Sequence, residues 1–218
     1  MKANEEKNPE ATKKRLLDAA EEIFSERGYA AATVREITAR GACNVAAVNY
    51  HYGGKEALYR EVFQRRLRAL RDLRIRRIRE YMEAPGAEPG LEGLLKAFVD
   101  AFLEPLMDRS RGTLFFRLMT QEILDPQLPE GMVFQEMIGP IQATMGGALQ
   151  RVAPALSGEA VRRCMFSVVG QLLHVTFYLR LLAKTEGQAG SREEVRAVLD
   201  HIVRFSLGGM LATMEETS

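Results

Sequence analysis

Two short segments, 33–40 and 44–52, stand back to back between glycines, and they restrict this chain more than any other feature. Thr33-Val34-Arg35-Glu36 has the form of a capping box, in which a threonine caps the first turn and a glutamate three residues on reaches back. Gly41 closes that segment. Asn44 is again a capping residue, and Gly53-Gly54 breaks the chain a second time. Neither segment is long enough to bury a face alone, so both must lean on a longer neighbour.

That neighbour precedes them. Asn8 is a suitable cap, with Pro9 at the first helical position. Leu16, Ala20, Ile23 and Phe24 then form one apolar stripe, and Gly28 ends the run. A longer helix followed by two short ones across a tight turn is a helix-turn-helix unit. Val45, Val48 and Tyr52 are expected to share the inner face of its third helix. Lys55 opens a fourth helix through Leu58, Val62, Phe63 and Leu67, reaching about Tyr81.

No segment alternates apolar and polar residues for long, and helical spacing recurs nearly everywhere, so the fold class is all-α. The Pro- and Gly-rich stretch 83–93 marks a boundary. The expected division is a helix-turn-helix domain over 8–56, continued by a linker helix to about 82, and a helical domain over 83–218. The second domain is expected to hold helices near 91–107, 111–124, 131–152, 158–184 and 192–215.

The net charge of +1 conceals an asymmetry. Residues 1–80 carry 18 Lys and Arg against 12 Asp and Glu, whereas the remainder carry 12 against 17. A basic front and an acidic back suggest that the front alone meets a polyanion. The run Arg65, Arg66, Arg68, Arg71, Arg74, Arg76, Arg77 and Arg79 could add to that field, but extends away from the third helix. A solvated linker face is its expected role.

A helix entering a major groove about 12 Å wide needs a held inner face and a free outer one. Ala46, Ala47, Asn49 and Tyr50 point outward on the expected helix. Asn49 can donate and accept at a base edge, and the alanines allow close approach to thymine methyls. Thr33, Asn44, Lys55, Tyr50 and His51 are candidates near phosphate, the first three at helix starts whose amides favour anions. His51 could instead be a packing residue.

Enzymatic readings find no support. His51, His174 and His201 do not cluster with carboxylates or thiols at metal spacing, and no Gly-rich phosphate loop precedes a helix. No catalytic residue, metal or cofactor is expected. Cys43 and Cys164 lie far apart and are read as packing residues. The polar N-terminus lacks an apolar signal core. The uncharged stretch Cys164–Leu179 is shorter than the ~20 residues a membrane helix requires. A cytoplasmic protein without membrane partners is expected.

The run Thr33-Val34-Arg35-Glu36-Ile37, then Asn44-Val45-Ala46-Ala47-Val48-Asn49-Tyr50-His51-Tyr52-Gly53-Gly54-Lys55-Glu56-Ala57-Leu58-Tyr59, resembles the TetR family of bacterial regulators. Leu118-Met119-Thr120-Gln121-Glu122-Ile123-Leu124-Asp125-Pro126, Gly139-Pro140-Ile141 and Gly170-Gln171-Leu172-Leu173 resemble its CecR-like branch. The resemblance implies a homodimer on a near-palindromic operator of double-stranded DNA, usually a repressor released by a small-molecule effector. In the family the turn commonly carries glycine one position later than Gly41. Either Ala42 adopts positive φ, at about 1 kcal/mol, or the turn shifts by a residue.

The helix near 158–184 is apolar almost all round, and that near 192–215 carries a wide stripe with Ser206, Gly208 and Gly209. These two are expected to pair with their symmetry mates in a four-helix interface. Phe98, Phe102, Phe115, Met119, Glu122, Met137, Met145, Gln171, His174 and Phe177 are candidates for the effector pocket, against ordinary core packing. Gln171 and His174 interrupt an apolar helix and need partners if buried. The competing function is a helical dimer that binds small molecules but not DNA.

Overall fold

The computed structural model describes residues 9–86, 88–106, 111–185 and 192–215. Its helices are α1 (Pro9–Ala31), α2 (Val34–Arg40), α3 (Ala46–Tyr52), α4 (Lys55–Met82), α5 (Leu91–Leu103), α6 (Arg111–Leu124), α7 (Gly139–Val152), α8 (Gly158–Thr185) and α9 (Arg192–Glu215). A 3-10 turn over Glu104–Leu106 extends α5, and a π-helical segment over Phe134–Ile138 leads into α7. No strand occurs among the described residues. The expected cap Asn8 lies outside them.

The chain divides in space into two compact units. The first combines residues up to Ala69 with Asp108–Glu136, and the second combines Leu70–Met107 with Met137–Ser218. This differs from a division at residue 83. The physical reason is α6, which packs on α1 rather than with the helices that flank it in sequence. Helix α4 runs without interruption through the division at Ala69.

In the first unit, the stripe read from α1 is buried: Leu16, Ala20, Ile23 and Phe24 are at most 3% exposed. Ile37, Val48, Leu58, Val62, Phe63 and Leu67 are buried with them. Tyr59 centres an aromatic group, meeting Phe24 edge-on at 4.9 Å between centroids and Phe63 at 5.0 Å. Full burial of one such side chain contributes about 1.5–3 kcal/mol. Gly28 takes φ 75 and ψ 171, which kinks α1, but helical turns resume as far as Ala31.

Half of the arginine run on α4 is exposed, as a linker face would be, namely Arg68, Arg76, Arg77 and Arg79, whereas Arg65, Arg66 and Arg71 are half-buried and Arg74 is buried. Glu21, 3% exposed, receives both Arg65 and Arg66, and Arg65 also holds Asp18 at 2.6 Å. Arg68 donates to Glu136 at 3.0 Å. These pairs tie α1 and the 125–136 connection to α4 and neutralise much of the basic run.

The second unit has its own core, in which Leu94, Leu95, Phe98, Met145, Leu149 and Leu172 are at most 1% exposed. Helix α5 packs on α7, α8 and α9, and α8 packs on α7 and α9. Gly93 sits where a side chain would collide with the Tyr81 ring. The Tyr81 hydroxyl donates to the Gly90 carbonyl at 3.1 Å and accepts from the Gly90 amide at 2.9 Å, pinning the entry to α5.

Candidate nucleic-acid interface

The helix-turn-helix forms from local chemistry. Thr33 Oγ1 accepts the Glu36 amide at 3.3 Å, and the Glu36 carboxylate accepts the Thr33 amide at 3.0 Å, completing the capping box. The Thr33 hydroxyl also donates to Glu36 at 2.8 Å. These bonds, led by that hydroxyl and assisted by Arg27 at 2.5 Å, hold the Glu36 carboxyl below its usual range. A cap of this kind is worth about 1 kcal/mol.

The turn keeps its register by straining one residue. Ala42 adopts φ 49, so the chain takes the positive-φ alternative rather than a shifted turn. Gly41 is buried against the backbone of α1, where an added Cβ would stand 3.2 Å from the Arg15 carbonyl. Asn44 caps as expected, its Oδ1 accepting the Ala46 amide at 2.9 Å.

Helix α3 is held from below at two points. Val48 is fully buried, and the Tyr52 hydroxyl donates to the Lys13 carbonyl of α1 at 2.8 Å. Val45 does not join them. It is 48% exposed although its backbone is already helical, at φ −56 and ψ −38, so this end of the inner face goes uncovered. On the other side Ala46, Asn49 and Tyr50 are exposed, Tyr50 to 83%, with Ala47 and His51 half-buried. The Tyr50 and His51 rings meet edge-on at 4.8 Å.

Lys55, at the start of α4, places its ammonium 4.4 Å from the centroid of the Tyr29 ring. Partial burial lowers its pKa. Arg35, in the first turn of α2, is exposed and makes no ion pair among the described residues. It was not among the sequence candidates, although a cation beside a capped helix start was a visible signal.

Residues 16–62 match the bacterial regulatory proteins of the tetR family, and residues 91–210 match the C-terminal domain of the HTH-type transcriptional dual regulator CecR. The chain belongs to the TetR family. It is a DNA-binding transcriptional regulator with a CecR-type C-terminal domain.

Solved structures agree on the fold. This TetR-family chain is similar to a protein of Mesorhizobium loti MAFF303099 assigned to the same family, at 20% identity and a TM-score of 0.69, over 92% of this chain and 97% of that one. A protein of Pseudomonas aeruginosa PAO1 described as a transcriptional regulator aligns at 20% identity and 0.67, over 97% and 96%. A TetR-like transcriptional regulator from Rhodococcus sp. RHA1 aligns at 18% and 0.62, over 91% and 96%. No curated protein matches the chain. Among the described residues no helix is long and apolar enough to cross a membrane, and no three His, Cys, Asp or Glu converge as a metal site.

The effector-pocket candidates of this regulator are divided between the two units. Phe115, Met119 and Glu122 belong to the first unit, whereas Phe98, Phe102, Met137, Met145, Gln171, His174 and Phe177 belong to the second. Glu122 is buried with both oxygens engaged: one accepts the Tyr59 hydroxyl at 2.9 Å, the other the amides of Gln127 and Leu128 at 2.8 and 2.7 Å. It is a fastening of the first unit rather than a pocket group.

In the second unit His174 is exposed beside Tyr178, and Phe177 is 59% exposed, so neither lines an interior. Gln171 finds its partners in the Ser167 carbonyl and Ser206 Oγ, each at 3.3 Å. It borders a groove of about 440 Å³ between α8 and α9, with Cys164 and Met210. Phe98, Phe102 and Met145 are core, and Met137 packs against them.

Around Phe102 the structure supplies a residue that the pocket candidates omitted. Arg74 is 6% exposed, its guanidinium carbon lies 4.1 Å from the Phe102 centroid, and its Nη1 donates to Met137 Sδ at 3.6 Å. Its Nε has no partner. The signal was present: Arg74 stands four residues from Leu70 and from Ile78, on the buried face of α4.

Proposed function

We propose that this regulator is a homodimeric repressor that inserts α3 of each subunit into successive major grooves of a near-palindromic operator. The carrying observation is the division of α3 into an anchored side, Val48 and Tyr52, and an exposed side, Ala46, Asn49 and Tyr50. Asn49 reads a base edge, Ala46 and Ala47 permit close approach, and Tyr50 and His51 contact phosphate. Thr33, Asn44 and Lys55 position the backbone, joined by Arg35. The Thr33 hydroxyl is occupied by Glu36, so its end of α2 meets phosphate through backbone amides.

Dimerisation through α8 and α9 is supported by large apolar residues that the chain leaves exposed on them. Phe166 is 82% exposed, Phe205 65%, and Leu173 56%. Gly208 and Gly209 face open space, which suits close approach by a second chain. A dimer of this kind presents its two recognition helices about 34 Å apart.

A small-molecule effector in the second unit changes that spacing and releases the operator, and DNA weakens effector binding by the same factor. No enzymatic step is required, and the site of action is the cytoplasm, where the DNA is.

Fluorescence anisotropy with DNA from beside the gene, and random DNA as competitor, tests this reading. Tight, salt-dependent, selective binding of one or two dimers per site is expected. Weak binding, equal on all fragments, would leave a helical dimer that senses small molecules without DNA.

A further inference from the structure

We infer that the effector is an apolar monocarboxylate and that Arg74 is its counter-charge. The inference rests on the reading that an effector binds the second unit. A guanidinium withdrawn from water to 6% exposure costs several kcal/mol unless an anion compensates it. No described carboxylate does so. Of the carboxylates next in sequence to its contacts Phe102 and Met137, Glu104 pairs with Arg77 at 3.1 Å, Asp100 with Lys96 at 3.1 Å and Glu136 with Arg68 at 3.0 Å. Arg74 instead rests on the Phe102 ring, gives one hydrogen to the thioether of Met137, a weak acceptor, and leaves Nε unpaired. Desolvation alone lowers its pKa to about 10.

The geometry selects the ligand class. A flat guanidinium backed by an aromatic ring presents its fork edge-on, which matches a planar carboxylate. Phe102 and Met137 supply apolar surroundings, with the Phe98 ring 6.2 Å from that of Phe102. A single unpaired cation neutralises one negative charge, so a phosphate dianion would leave charge buried. Met137 sits in the π-helical segment Phe134–Ile138, a distortion frequent at functional sites.

The test is thermal unfolding of the full-length protein as wild type, R74M and R74K, with cinnamate or octanoate and with the neutral cinnamamide or octanamide. The carboxylates should raise the wild-type Tm by about 5 °C or more at saturation, whereas the amides should not. R74M should lose the response yet melt no lower than wild type without ligand, because it removes an uncompensated charge. R74K, which keeps the charge but not the fork, should bind at least ~10-fold more weakly, and it carries the test should R74M not fold.

Three results would overturn the inference: amides that stabilise as well as carboxylates, an undiminished carboxylate response in R74M or R74K, or no wild-type response up to about 10 mM. Stabilisation by amides would leave a small-molecule site standing and remove only its anionic class. Operator binding measured on the same preparations separates this failure from failure of the regulator.

Discussion

The hydroxyl of Tyr59 donates to the carboxylate of Glu122 at 2.9 Å, joining residues 63 positions apart and fastening α6 to α4. Burial, followed by this bond to a carboxylate, raises the Tyr59 pKa well above its ordinary value. Tyr59→Phe removes a hydrogen bond to a charged group and should lower stability by about 1.5–3 kcal/mol. The Gln127 and Leu128 amides keep their acceptor, so the loss should be smaller than for Glu122→Ala. Urea midpoints of the two variants check the order.

Tyr52 gives a pH signature. Burial, its largest influence, raises the phenol from about 10 to about 12. The folded state therefore holds the proton longer than the unfolded chain. The contribution is fully present below pH 10 and is lost as pH rises from about 10 to about 12. In Tyr52→Phe this part of the alkaline decline should be absent, at a cost near neutrality of about 1 kcal/mol for the lost bond to Lys13. Melting curves of both proteins between those pH values decide the matter.

Ala42 holds φ 49 in the turn between α2 and α3. Glycine relieves that strain, so Ala42→Gly should stabilise the protein by about 0.5–1 kcal/mol, with the operator preference unchanged. A destabilised Ala42→Gly protein would mean that the turn tolerates alanine without strain.

Asn49→Ala should cost ~1–3 kcal/mol on the cognate operator and relax preference at one base position. A penalty equal across operator variants would remove Asn49 from the base readers. This is measured by competition with single-base operator substitutions.

Lys55→Ala should weaken binding to every sequence and flatten the salt slope by about one unit. Because the ammonium lies over Tyr29, the variant should also lose roughly 0.5–1 kcal/mol of stability. An unchanged salt slope would confine Lys55 to that packing role.

Much of this architecture was legible before folding because it depends on neighbours three or four residues apart. The capping box of Thr33 and Glu36, the cap at Asn44 and the helical spans of the second unit are all local. Spacing also sorted Asn49 and Tyr50 from Val48. Val45 has the spacing of the inner face and a helical backbone, but spacing does not tell whether a neighbouring element covers that end of the helix, and none buries it.

What spacing cannot supply is the partner across a long loop. Glu122 and Arg74 are both polar residues on the buried faces of their helices, and periodicity does not say what either one meets. Packing separates them: Glu122 meets Tyr59 and two backbone amides, whereas Arg74 meets an aromatic ring and a thioether. Likewise Phe102 and Phe177 are equally apolar in sequence, yet one is buried in the core of the second unit and the other faces outward. The assignment of α6 to α1 has the same origin. Local chemistry sets where each helix starts and stops, but the free energy of burying its faces depends on elements far away in the chain, and that decides which residues meet.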